Sequence, residues 1–199
     1  MIKSKKAILI SIQPRYVADI ISGKKTLEIR KTIPKCDLPI DVYIYCSKGP
    51  GYCHHAFEDF KPKDKQAVIP LQLCNGYVVA KFTLNNVEEI MIDVNESIYY
   101  GTHSLGEPIL LKESCLSYKE LDGYLDTIWW NGEHHIVGYA WHIDNLVIFD
   151  RPLLLNEHFY NVPSKADVKW FKDNYIGKGV LVQSLLKAPQ SWRYVEVDL

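Results

Sequence analysis

Short apolar runs separated by polar punctuation recur along the chain, and their periods predict its elements. Ala7-Ile8-Leu9-Ile10-Ser11-Ile12 is brief and β-branched, which predicts a buried strand. Gln13-Pro14 ends it, and proline suits the first turn of a helix. Tyr16, Val17, Ile20 and Ile21 recur at helical spacing up to Gly23, a helix-stop residue. Leu27 and Ile29 then alternate with Thr26, Glu28 and Arg30, predicting a strand with one apolar and one charged face. Asp41 to Cys46 (DVYIYC) reads as a strand, and Gly76 to Leu84 with Val87 to Ile92 as a hairpin or meander. Ser117 to Leu125 is helical, with Leu121, Tyr124 and Leu125 on one side. Thr127 to Val137 reads as a loop rich in Trp and His. Tyr139 to Phe149 and Ser191 to Val197 read as strands.

Six or seven short strands, two or three helices and no βαβ rhythm predict an α+β fold or a small barrel. The expected organisation is one domain over residues 1–199. It carries an inserted polar loop at about 50–75 and a decorated polar segment with helical hints at about 155–187. There is no internal repeat and no low-complexity tract.

Composition narrows the function classes. Of 199 residues 47% are hydrophobic, enough for a sizeable core, and 24% are charged, so bulk disorder is not expected. Twenty-three Lys and Arg against 24 Asp and Glu give a net charge of −1. A globally basic nucleic-acid binder is thereby excluded, and any phosphate site must be a local patch. The apolar run Ala7–Ile12 is too short for a secretory h-region, and no stretch has the length of a transmembrane helix. With five irregularly spaced cysteines, at 36, 46, 53, 74 and 115, the expectation is a protein of the reducing cytoplasm with free thiols and no membrane partner.

One stretch concentrates charge. Residues 23–31, GKKTLEIRK, set Lys24, Lys25, Arg30 and Lys31 around the single carboxylate of Glu28. Lysine is a mobile point charge and arginine a bidentate fork, a combination suited to phosphate. The lone acid suits acceptance of a hydrogen bond from a base amine, or general-base work. The competing reading is a solvated strand face with Glu28 in a cross-strand salt bridge. Trp129-Trp130, followed by His134-His135, offers a stacking platform if one indole is left exposed, or a pinned loop if both are buried. Cys46, Cys53, His54 and His55 lack a common structural zinc spacing, so no metal and no cofactor are expected. His142, flanked by apolar residues, reads as a core-edge histidine donating to a backbone carbonyl. No nucleophile elbow, P-loop, zincin or dinucleotide signature is present. A desolvated Lys25 is the candidate nucleophile or base.

The stretch ILISIQPRYVADIISGKKTLEIRK resembles the opening motif of ASCH domains, of the PUA-like superfamily. The likeness continues in DVYIYCSKG, GYVVAKFTL, SCLSYKELDGYL, YAWHIDNLVIFD and APQSWRYVEV, together similar to ASCH-type proteins met in phage and prophage genomes. The resemblance implies a β-barrel of five or six strands with flanking helices, and a cleft floored by the Gly-Lys-Lys-Thr segment. It also implies RNA binding or RNA-linked regulation. Small bacterial relatives deacylate acetylcytidine and others are reported as ribonucleases. The amidohydrolase pattern places a Lys at Lys25 and a Thr three positions later, where this chain has Glu28. Its later acid falls on Glu113 or Glu120. Ser191 and Trp192 are implied to lie beside the same cleft.

The leading expectation is therefore a module for RNA, single-stranded nucleic acid or a modified nucleotide. In it Lys24, Lys25, Thr26 and Arg30 hold the ligand, Glu28 reads a base edge, and Trp129 or Trp130 stacks. A hydrolase of acylated nucleosides or RNA, with Lys25, Glu28 and Glu113 as its chemistry, is the second expectation. A phage-encoded adaptor for a host protein, contacting it through the 50–75 insert, is the third.

Overall fold

The computed structural model describes residues 5–60, 70–93, 97–100, 107–130, 132–162 and 183–198. In chain order the elements are β1 (Lys5–Ile12), α1 (Pro14–Ile21), β2 (Leu27–Arg30), β3 (Ile40–Cys46), β4 (His54–His55), β5 (Gln72–Leu73), β6 (Val78–Leu84), β7 (Val87–Ile92) and β8 (Ile98–Tyr100). There follow α2 (Glu107–Ser114), α3 (Tyr118–Tyr124), β9 (Asp126–Trp130), β10 (Glu133–His142), β11 (Asp144–Leu153), α4 (Leu155–His158), β12 (Phe159–Asn161) and β13 (Trp192–Val197). The architecture is α+β, as the patterning predicts. The pairings trace open runs, β11-β6-β3-β1-β13-β12 and β2-β10-β7-β8, with β9 also on β10 and β4 on β5.

The described chain groups into two compact units. The first holds Met1–Arg15, Asp41–Lys81 and Val147–Leu199, and the second Tyr16–Ile40 and Phe82–Leu146. In the first unit β1 runs parallel to β3 and antiparallel to β13, so the run Ala7–Ile12 is central in its sheet, with Ala7, Ile8, Leu9, Ile10 and Ile12 buried. Its core includes Leu9, Tyr43, Val78, Phe159 and Val195.

In the second unit β10 is the spine. One edge pairs with β7, and the other is shared: β9 takes the first half, β2 the second. The even-numbered face of β10 joins Leu27, Ile29, Ile90, Ile92 and Ala140 into a core closed by Leu110, Leu121 and Leu125. Leu125 packs on Gly138, where any Cβ would collide with it. Helix α3 begins in a reciprocal capping box, Ser117 with Glu120, which satisfies two otherwise orphan donors.

Two expectations need correction. Thr127–Val137 falls on the antiparallel pair β9–β10, not on a loop, and Gly132 just before β10 adopts a positive φ (81°) that suits glycine. Val78–Leu84 and Val87–Ile92 do not pair as a hairpin; β6 lies between β11 and β3, and β7 between β10 and β8. The described residues of the 50–75 segment include the small β4–β5 sheet and the buried Cys53, Phe57 and Cys74. Of the 155–187 segment, α4 and β12 are described, and residues 163–182 lie outside the described residues. Among the described residues no helix is long and apolar enough to cross a membrane.

Candidate functional site

Strand β2 is four residues long and buried on both faces. Alternation sends Leu27 and Ile29 into the apolar core, so Glu28 and Arg30 must share the opposite face. There the Glu28 carboxylate is clamped from two sides. Arg30 Nη2 lies 2.9 Å from Glu28 Oε1, and Lys25 Nζ lies 3.3 Å from Glu28 Oε2. Lys25 Nζ also donates to the Ser114 carbonyl at 2.6 Å and sits 5.1 Å from the centre of the Tyr16 ring. Gly23, at φ 75°, ends α1 and turns the chain so that Lys25 enters this cluster while Lys24 stays outside. Lys25, Glu28 and Arg30 are 3%, 6% and 6% exposed.

The structure brings Lys25, Glu28 and Arg30 together, and the strand face they share is buried rather than solvated. The salt bridges run within one segment rather than across strands. Glu28 faces the fully buried Trp141 in the register of β10 and is shut from solvent. Within residues 24–30, Lys24 and Thr26 are the exposed members. Thr26 is fixed through its backbone: its N–H donates to Glu113 O at 2.9 Å, and its carbonyl accepts from Ile143 N at 2.9 Å. Of the two later acids, Glu113 therefore adjoins the Lys-Thr segment, while Glu120 is occupied capping α3.

Trp129 does not join this cluster. Trp129 is 69% exposed and stacks obliquely on His134, ring centres 3.7 Å apart. Its register opposite His134 puts it on the face of Ala140 and His142, away from Glu28 and Arg30. Trp130 pairs with Glu133 through its backbone, and its side chain lies outside the described residues. Ser191 and Trp192 belong to the first unit, where Ser191 O accepts from Ser11 N at 2.8 Å and Trp192 packs edge-on against Tyr194.

Sequence reasoning misassigned the partners of one histidine. His142 does not donate to a backbone carbonyl. Its Nε2 lies 2.9 Å from Glu88 Oε2 and 3.1 Å from the Tyr100 hydroxyl. Burial, then the hydrogen bond and charge of Glu88, then the charge of Glu113, push the Tyr100 hydroxyl pKa far up, so it stays protonated. His142 sits opposite Leu27 in register, at the end of the apolar face. The signal available in the sequence was parity: Glu88 shares the phase of Ile90 and Ile92.

Among the described residues no group of three or more His, Cys, Asp or Glu is placed to hold a metal. All five cysteines are free thiols, three of them buried. Cys53 contacts both Cys46 and Cys74.

No family model matches the sequence, and the search of curated proteins returns no significant match. Solved structures similar to this chain include ASCH from Zymomonas mobilis, at 20% identity over 94% of this chain and 86% of that one, with a TM-score of 0.48. Two single-residue variants of the Zymomonas mobilis protein are also similar. One has 18% identity and a TM-score of 0.41 over 96% and 90% of the two chains. The other has 19% and 0.43 over 94% and 87%.

Proposed function

We propose that this chain is an ASCH-type protein that binds single-stranded nucleic acid, RNA foremost, or a modified nucleotide, through the segment Lys24–Arg30. The observation that carries the reading is the convergence of Lys25, Glu28 and Arg30 beside the exposed Lys24 and Thr26. Burying three charges in a four-residue strand and its approach is a poor route to stability, because desolvation offsets most of the Coulombic gain. Arrangements that break the usual rules of burial concentrate at functional sites. In this reading Lys24 contacts phosphate directly. Lys25 and Arg30, held rigid by Glu28, supply fixed positive potential beneath it.

The test is the salt dependence of binding to a short single-stranded RNA, followed by fluorescence anisotropy. Lys24→Ala removes an exposed side chain, so folding is untouched. It should weaken binding and shallow the log K against log salt slope by about 0.7, one phosphate contact on a single strand. Wild-type protein that leaves RNA free in low salt defeats the reading.

A hydrolase acting on acylated nucleosides or RNA is the second reading. It draws on the buried Lys25 ammonium, held 3.3 Å from the Glu28 carboxylate and next in sequence to Thr26, whose N–H is anchored on Glu113. Product formation from a panel of acylated nucleosides and short RNAs, lost in Lys25→Ala and Glu28→Gln, supports it; an inert panel removes it.

A further inference from the structure

We propose that Cys46, Cys53 and Cys74 form a thiol site that a hydroperoxide converts reversibly to a disulfide, with Cys53 as the attacking sulfur and one of its two neighbours as its partner. The site belongs to the first unit and depends on nothing in the nucleic-acid reading. All three residues are buried. A buried cysteine standing alone is a small apolar side chain and no more. These three meet at one sulfur: the thiols of Cys46 and Cys74 both hydrogen-bond to Cys53.

Backbone geometry gathers them. β4 and β5 pair His55 with Gln72 and His54 with Leu73, so the next rung sets Cys53 opposite Cys74. The Cys74 N–H donates to the Cys53 carbonyl at 2.8 Å, which closes that rung. Opposed residues on antiparallel strands stand about 4.5–5.5 Å apart at Cα. A disulfide spans about 4.4–6.8 Å, so the rung lies within its reach. Cys46 arrives from the end of β3. Its N–H donates to Tyr77 O at 2.9 Å, and its carbonyl accepts from Gly76 N at 2.7 Å. Asn75 ties the two sides together: its Oδ1 accepts from Cys53 N at 3.0 Å and lies 4.0 Å from Cys46 Sγ. Cys53 thus has a partner sulfur on each of two chain segments.

The arrangement divides the roles. Hydrogen bonds from Cys46 and Cys74 outweigh burial and hold the Cys53 pKa well below the ordinary thiol value, and the charges of His55 and His54 act the same way. The hydrogen bond to Cys53, then burial, then the charge of Cys53 push the thiols of Cys46 and Cys74 up. One thiolate therefore sits between two thiols, and the thiolate is the nucleophile. Cys53 Sγ attacks a peroxide oxygen. The S–O bond forms, the O–O bond breaks, and the departing oxyanion takes the proton of a neighbouring thiol. The new thiolate attacks the Cys53 sulfenic sulfur, and hydroxide leaves as the S–S bond closes. Each sulfur gives up one electron, and each peroxide oxygen gains one. Hydrogen peroxide is close to water in size. Cys53 lies between the exposed Tyr52 and His54, at the start of a sheet with two residues per strand. Two-stranded pairings so short open locally at low cost, which admits the oxidant.

The experiment treats the reduced whole chain with hydrogen peroxide in native buffer, alkylates the remaining thiols and maps the peptides by mass spectrometry. The expected product is a bridge from Cys53 to Cys46 or to Cys74, seen as the loss of two hydrogens and reversed by dithiothreitol. Cys53→Ser should abolish bridging within the trio, and Cys74→Ala should leave only the bridge to Cys46. Wild-type protein whose trio stays as three thiols overturns the proposal. So does a bridge between Cys46 and Cys74, a bridge from the trio to Cys36 or Cys115, or a Cys53 that ends as sulfinic acid without any bridge. The wild-type map decides alone, so a variant that does not fold leaves the test intact.

Discussion

Two places in this molecule set one carboxylate between two cations, and they could hardly differ more in consequence. In the first unit Asp41 meets Lys5 at 3.0 Å and Lys81 at 3.4 Å, with the Lys5 side chain 71% exposed. In the second, Glu28 meets Arg30 and Lys25 with every side chain under a tenth exposed. Water screens the first trio, so each pair contributes about 0–1 kcal/mol. The second trio has traded its hydration for mutual contact. Its net contribution is small, yet each member is indispensable to the others. Equal charge arithmetic thus yields a forgiving surface in one unit and a rigid, sensitive element in the other.

The sharpest way to break that contrast is Glu28→Gln. It leaves Lys25 and Arg30 buried without their carboxylate and should cost about 3–5 kcal/mol in urea unfolding. A loss below about 0.5 kcal/mol would put Glu28 on the same footing as Asp41. Next comes Gly138→Ala, which drives a methyl into the buried Leu125 side chain and should cost about 1–3 kcal/mol by the same measurement. It calibrates the rigidity of the core on which β2 rests. The smallest effect belongs to Lys5→Ala, about 0–1 kcal/mol and fading with added salt.

The pH response of Asp41 sharpens the comparison. Burial raises its pKa, but the hydrogen bond from Lys5 and the charges of Lys81 and Lys5 outweigh burial, and the pKa falls below the ordinary 3.8. A lowered folded-state pKa means a contribution fully present above the unfolded carboxylate value and lost as pH falls through the folded one. Wild type and Asp41→Asn should therefore differ most near neutrality and converge in strong acid, as read by urea midpoints down the pH scale. A gap that widens on acidification reverses the sign.

Much of this was legible from residue order. The alternation Thr26-Leu27-Glu28-Ile29-Arg30 placed Leu27 and Ile29 on one face and Glu28 with Arg30 on the other, and both placements hold. Gly23 stopped α1 where helical spacing ended. Burial of the charged face was not legible, because what covers a four-residue strand is decided by distant segments. The same limit hid the Glu88–His142 contact, residues 54 positions apart joined only by the β7–β10 register. The β9–β10 pairing was missed because the aromatics around residue 132 read as a loop.

The central claim is that nucleic acid engages the Glu28 segment and ignores the Asp41 trio. The direct measurement is an NMR titration of isotope-labelled protein with short single-stranded RNA at low salt. Amide shifts should concentrate at residues 24–30 and 139–143, with Lys5, Asp41 and Lys81 unmoved. Shifts that gather instead at Lys5, Asp41 and Lys81, or that appear nowhere at saturating RNA, contradict it.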